Sequence, residues 1–148
     1  MSREGLLNQI REEFPEQVRE SSFYAEMEPA VREEYLYELC EGDESLENLF
    51  EEMIEYFYRY TRDVCEQESL IKKNIPENIE EIRSRDKDRT ILHNAMIDSV
   101  KIFSRNLGVK GKDNSWIDGI DKGGRAGYAK LALLTTFLDI LKPNPNEQ

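Results

Sequence analysis

This sequence of 148 residues holds few of the residue types on which metal, redox and disulfide chemistry depend, with one histidine, two cysteines and one tryptophan. Cys40 and Cys65 form no CxxC motif, so we expect two reduced core thiols, no metal centre and no cofactor. No apolar run reaches the roughly 18 residues that a membrane-spanning helix needs. The opening residues, MSREGLLNQIREEF, lack the apolar core of a secretory signal, so we expect a cytoplasmic protein without membrane association.

The charged residues are spread unevenly along a chain whose formal net charge is −11. Residues 1–70 hold 20 Asp/Glu, six Arg and no Lys, whereas residues 71–148 hold 11 Asp/Glu and 14 Lys/Arg. Because an acidic surface repels phosphates, we expect no direct nucleic-acid binding. The basic half can instead complement the acidic half of its own chain, an acidic patch on a protein partner, or phosphate.

Apolar residues recur at helical spacing throughout, and no strand pattern competes with them. The clearest helix runs from Leu46 to Val64, with Gly42 as a stop before it and Asp43 as its N-cap. The chain is too short and too continuous for two domains. We therefore predict an all-α fold, a single-domain irregular bundle of five or six helices over residues 1–148.

The segment from Glu77 to Leu107 also has the helical pattern, but the charged run RSRDKDR interrupts its apolar stripe. Two arrangements fit, namely one long helix whose middle projects beyond the core, or two helices broken near Ser84. The absence of Gly and Pro between Pro76 and Gly108 favours the long helix. Gly108 is then expected to end it as a C′ residue.

The stretch from Gly108 to Gly127, GVKGKDNSWIDGIDKGGRAG, holds six of the eight glycines. It matches neither a P-loop nor an EF-hand calcium loop. Trp116, Ile117 and Ile120 at helical spacing instead predict a short helix docked on the core. We therefore expect an ordered, glycine-rich connection before the last helix, 124–142, which is apolar around most of its circumference and should be buried. A frayed tail is expected over 143–148.

The beginning of that last helix is a candidate anion site, because free backbone N–H groups at a helix N-terminus bind anions. The candidate residues are Lys122, Gly123, Gly124 and Arg125. An anion- or phosphate-binding module is therefore one alternative function for this chain.

A second alternative comes from the EExxE pattern in FEEMIEYF and the ExxE pattern in PENIEE. These resemble the carboxylate pattern of all-α nucleotide pyrophosphohydrolases, in which acids one helical turn apart on two helices hold Mg²⁺. The resemblance implies a magnesium-dependent hydrolase with Glu52, Glu55, Glu77 and Glu80 as ligands. This chain has ExxE where the family's second element is ExxD, and its glutamates lie off the apolar stripe, which favours a solvated surface.

The same acidic helix carries tyrosines, which suit either the edge of a core or a protein interface. The candidate partner-binding residues are Glu51, Glu52, Glu55, Tyr56 and Tyr60. Our leading hypothesis from the sequence is a non-enzymatic interaction or regulatory protein. Its partner is expected to be a protein, either a basic one such as a nucleic-acid-binding protein or a second copy of this chain in a homodimer.

His93 lies at the boundary of an apolar stripe, where a histidine that is hydrogen-bonded to a neighbour is the favoured interpretation over a base or ligand. With Arg89 it resembles the arginine–histidine motif of small helical ribonucleases of the HEPN type. Fewer residues separate the two here than that motif has, so no activity is carried over. The segment HNAMIDSVKIFSRNLG (93–108) resembles small all-helical bacterial proteins of a domain-of-unknown-function family, which implies a helical fold and no activity.

Overall fold

The computed structural model describes residues 2–20, 32–73 and 75–142. These residues form seven α-helices and no strand, and five of the helices have seven residues or more, so the predicted all-α bundle is confirmed. The helices are α1 (Arg3–Glu13), α2 (Pro15–Glu20), α3 (Glu33–Glu38), α4 (Glu44–Lys73), α5 (Ile79–Val109), α6 (Trp116–Lys122) and α7 (Gly124–Leu141), with a 3-10 turn at Pro76–Asn78. The predicted tail, 143–148, lies outside the described residues.

The longest helices, α4 and α5, pack against each other as an antiparallel hairpin. The ring centroids of Phe50 and Phe103 are 5.9 Å apart, and those of Tyr60 and His93 are 5.2 Å apart, so positions rising along α4 meet positions falling along α5. Both helices, together with α7, contribute their apolar stripes to the main core. The largest completely buried side chains include Phe50, Phe57, Tyr58, Phe103, Met53, Ile54, Met96 and Leu107.

The beginning of α4 follows the local rules that predicted it. Gly42 has a φ of +77°, the left-handed conformation that glycine adopts most readily. The Asp43 carboxylate accepts the backbone N–H of Leu46 at 3.2 Å, as an N-cap side chain does. The expected stop at Gly42 and the expected cap at Asp43 are both confirmed.

The helix α5 is continuous from Ile79 to Val109, which confirms the single long helix. The expected end at Gly108 is wrong, because the helix passes through that residue and stops at a Schellman motif around Gly111. Gly111 has a φ of +75°, and the N–H of Lys112 reaches back to the Leu107 carbonyl at 2.9 Å. Gly108 is small for a different reason, since a Cβ there would lie 2.6 Å from the side-chain amide of Asn114.

The glycine-rich connection is ordered and contains the predicted short helix, α6. Trp116 and Ile120 are buried, and the ring centroid of Trp116 lies 6.2 Å from that of Phe103. The corner between α6 and α7 is tight, because a Cβ at Gly127 would lie 2.2 Å from the carbonyl oxygen of Ile120. Only a glycine at this position lets α7 approach α6 so closely.

The last helix, α7, is the buried helix that its composition predicts, with eight buried residues along its length. Inside its contact with α4, the hydroxyl of Thr61 donates a hydrogen bond to the hydroxyl of Thr136 on α7 at 3.0 Å. Among the described residues, no helix is both long enough and apolar enough to span a bilayer.

The two cysteines are unpaired and buried, as expected of core thiols. Burial, with Glu47 as the next cause, raises the pKa of Cys40 to about 11, and burial raises that of Cys65 to about 12. Both side chains are therefore protonated, unreactive thiols at neutral pH.

A group of four polar side chains, which we term the polar junction, joins α1, α3, α4 and α7 at Arg3, Glu33, Tyr58 and Asp139. The Arg3 guanidinium donates to Glu33 at 2.8 Å and lies 5.4 Å from the centroid of the Tyr58 ring. Burial and the neighbouring Asp139 raise the pKa of Glu33 to about 8. Glu33 therefore holds a proton more tightly than an ordinary glutamate, although Arg3 opposes the rise.

Candidate functional site

An open cleft of about 320 Å³ lies where α4, α5 and α7 meet. The side chains around it are unusually rich in cations and hydrogen-bonding groups for a protein of this net charge. Its lining residues are Tyr60, Arg89, Thr90, His93, Arg125, Ala126 and Ala129. We refer to it below as the arginine cleft.

His93 is fixed in one orientation in the wall of the arginine cleft. Its Nε2 lies 3.0 Å from the backbone carbonyl oxygen of Arg125, and its side chain is only 7% exposed. A carbonyl oxygen can only accept, so Nε2 carries the hydrogen. The neutral ring therefore has its lone pair on Nδ1, which forms no hydrogen bond to a described residue.

Tyr60 contributes a second polar side chain to the arginine cleft, and it too is only 7% exposed. Its hydroxyl has no hydrogen-bond partner among the described residues. The ring is buried, but the hydroxyl oxygen itself remains accessible to solvent, so it can bond to water or to a ligand. Two largely buried polar side chains with free hydrogen-bonding atoms therefore line one cleft.

Arg89 and Arg125 bring positive charge to the arginine cleft from α5 and α7. Arg89 donates to Asp86 at 3.1 Å, and Arg125 donates to Asn94 at 2.8 Å. A guanidinium has five N–H donors, so each arginine keeps donors for a ligand.

Both arginines affect the pKa values of both rings. Burial lowers the pKa of His93, the hydrogen bond to the Arg125 carbonyl opposes this, and the charges of Arg125 and Arg89 lower the pKa further. Burial raises the pKa of Tyr60, and the same two charges oppose that rise. His93 therefore favours its neutral form, and the two guanidinium groups are the charged groups that line the cleft.

Local sequence explains how these side chains converge. Arg89 and His93 are four residues apart on α5, so one turn of helix places them on the same face. Gly124, with a φ of +61°, begins α7 directly before Arg125 and directs the helix along α5. Of the predicted anion-site residues, only Arg125 lines the arginine cleft, whereas Lys122, Gly123 and Gly124 are exposed on the turn beside it.

The predicted partner-binding residues do not share one surface. Glu51 and Tyr60 are nine residues apart, about two and a half turns, so they lie on opposite sides of α4. Glu51 forms an ion pair with Arg3, while Tyr60 is buried beside His93. The predicted partner-binding residues are therefore split between two sides of α4.

The other three predicted partner residues, Glu52, Glu55 and Tyr56, stay near the solvent-facing side of α4. Glu52 is exposed and forms no ion pair with a described residue. Glu55 is bonded to Arg59 at 2.5 Å on the same helix. The acidic, aromatic surface is therefore reduced to these three residues.

The four glutamates proposed as magnesium ligands are not brought together. From Glu55 to the end of α4 at Lys73 the helix rises by about 27 Å, and Glu77 and Glu80 lie at that far end of the hairpin. Within the described residues, no group of three or more His, Cys, Asp or Glu side chains is placed to hold a metal ion. The carboxylates lack the convergence that the pyrophosphohydrolase pattern requires.

Comparisons with models of known protein families, with curated proteins and with solved structures each found no match. The resemblance to a domain-of-unknown-function family and the expected homodimer therefore stay predictions.

Proposed function

We propose that this protein binds a small anion of the phosphate class in the arginine cleft. The observation that carries the proposal is the convergence of Arg89 and Arg125 on a cleft where the largely buried Tyr60 and His93 have unused hydrogen-bonding atoms. A planar guanidinium with several free donors matches the oxygens of a phosphate or sulfate group. Tyr60 can donate its hydroxyl hydrogen to the same group.

The charge distribution favours a small anion over a nucleic acid. The acidic first half of the chain repels an extended polyanion, whereas a single phosphate group can enter a locally positive cleft. The volume of about 320 Å³ is at the lower end of the range for small-molecule pockets. A phosphate group, alone or on a small ester, fits this cleft.

The proposal is tested by calorimetric titration with inorganic phosphate and with a small phosphate monoester at low ionic strength. Arg89→Gln and Arg125→Gln should each weaken binding by roughly tenfold or more, because each removes charged hydrogen bonds. Arg105→Gln is the matched control, since it removes the same charge from an exposed position of α5 outside the cleft. Undetectable binding of both anions, or equal loss in all three variants, would count against the proposal.

A second candidate function is the docking of a basic protein segment on Glu52, Glu55 and Tyr56. The specific observation in its favour is that Glu52 is exposed without an ion pair, beside the half-buried Tyr56 one turn later. Binding to a lysine-rich peptide should weaken steeply with salt and be lost in Glu52→Lys. Glu68→Lys, on the exposed far part of α4, is the control, and equal effects of the two reversals would remove this candidate.

A further inference from the structure

We infer that the arginine cleft takes up a proton together with its anion, and that His93 receives this proton on Nδ1. The inference deepens the proposed anion-binding function and rests on it. It makes the protein a proton-linked binder of dianions, with an affinity that increases as the pH falls.

The geometry determines which nitrogen of the His93 ring can gain a proton. The hydrogen on Nε2 is held by the Arg125 carbonyl at 3.0 Å, and this bond suits both the neutral and the charged ring. The added proton therefore goes to Nδ1, the atom without a partner. Once protonated, Nδ1 becomes a charged donor in the wall of the cleft, where a dianion can accept from it.

The charged and titratable groups that face His93 come from each helix packed against it. Arg89 lies on its own helix, Arg125 on α7, and Tyr60 on α4. No carboxylate of the described residues forms a hydrogen bond or an ion pair with the imidazole. The charged groups beside the ring are the two guanidinium groups, of which Arg89 is paired with Asp86 at 3.1 Å, and they disfavour the imidazolium form.

A bound dianion reverses this balance. It neutralises the two guanidinium groups and adds negative charge near the ring, so the imidazolium form becomes the favoured one. The complex then binds more protons than the free protein in the pH interval between the two His93 pKa values. By linkage, the association constant rises as the pH falls through that interval, by up to tenfold per pH unit.

Sulfate is the decisive probe, because it stays dianionic from pH 5 to 8 whereas a phosphate monoester titrates near pH 6. His93 is the only histidine, so its ring signals in an NMR titration report on one site without assignment ambiguity. The pKa of His93 is measured in saturating sodium sulfate and in sodium chloride of equal ionic strength. We expect it to be higher in sulfate by about one pH unit, which corresponds to about tenfold tighter sulfate binding below that interval.

Arg125→Gln and His93→Gln complete the experiment. Arg125→Gln should lose sulfate binding, and its His93 pKa should then be the same in sulfate and chloride. His93→Gln should lose the pH dependence of sulfate binding between pH 5 and 8. The wild-type and Arg125→Gln measurements decide the question even if His93→Gln does not fold.

The possible results separate the two ideas. If sulfate binds but the His93 pKa is no higher in sulfate than in chloride, proton uptake is overturned and the proposed anion site is not. Absence of sulfate and phosphate binding at every pH overturns both. Binding with a sulfate-specific pKa rise that Arg125→Gln abolishes supports both.

Discussion

The hydroxyl of Tyr58 on α4 donates a hydrogen bond to the carboxylate of Asp139 on α7. Tyr58 is almost completely buried, so this bond lies inside the contact between the two helices. Burial, with Asp139 as the next cause, raises the pKa of Tyr58, so the phenol stays protonated and remains a donor. The polar junction therefore specifies the register between the two helices, which contacts between their apolar stripes alone would not specify.

We predict that Tyr58→Phe lowers the free energy of unfolding by about 1–3 kcal/mol. The change removes the Tyr58 hydrogen bond from a largely buried carboxylate and leaves Lys142, which donates to the other Asp139 oxygen at 3.0 Å. Urea denaturation followed by circular dichroism measures the effect. Tyr37→Phe is the control, because Tyr37 is 47% exposed, and an equal loss in both variants would contradict the prediction.

Glu33 should make the free energy of unfolding fall as the pH rises into the alkaline range. Its pKa rises from an ordinary value of 4.5 to about 8 on folding, so the folded state binds the extra proton. The resulting stabilisation is complete below pH 4.5 and is lost as the pH rises through about 8.

Glu33→Gln mimics the protonated side chain and should flatten this part of the stability profile between pH 5 and 9. Glu52→Gln removes one charge from an exposed position and should leave the slope unchanged. Denaturation midpoints of the wild type and both variants, measured between pH 5 and 9, test this prediction. A slope that persists in Glu33→Gln would show that another group carries it.

Gly127→Ala should destabilise the protein by at least about 2 kcal/mol, because the new Cβ collides with backbone and α7 must move away from α6. Gly119→Ala is the matched control within the same glycine-rich stretch. Nothing lies within 4 Å of a Cβ at Gly119, and alanine is the better helix former by about 1 kcal/mol. Thermal unfolding should therefore give opposite signs for the two variants, and similar losses would contradict the tight corner.

The two thiols should react only through unfolding. Cys40 and Cys65 are at most 1% exposed, and their pKa values of about 11 and 12 leave almost no thiolate at pH 7. Ellman's reagent should therefore label the native protein slowly and label it completely in 6 M guanidinium. Rapid labelling of one thiol under native conditions would identify a local opening around it.

Local sequence rules predicted much of the fold and failed where distant residues decide. Asp43 caps α4 and Gly42 stops the turn before it, because both effects depend on neighbours in the chain. The end of α5 was misplaced at Gly108, since a helix-stop rule cannot detect that Asn114 folds back onto that position. Gly111, three residues later, has the positive φ that ends the helix.

The sequence indicated some of the residues of the arginine cleft but not that they converge. The four-residue spacing of Arg89 and His93 indicates a shared face, and Arg125 was included in a candidate anion site for its place at a helix start. Their convergence depends on how α7 packs beside α5, a relationship between positions more than 30 residues apart. Tyr60 lies apart from the other predicted partner-binding residues for a similar reason, because its burial is determined by α5 and not by its own helix.

The order of the helices along the chain has a kinetic consequence. The hairpin of α4 and α5 joins neighbours in sequence, and such contacts form quickly because they close only short loops. The third wall of the arginine cleft comes from α7, which follows the hairpin in the chain, so we expect it to dock after the hairpin has formed. During synthesis the hairpin then leaves the ribosome before the arginine cleft is complete.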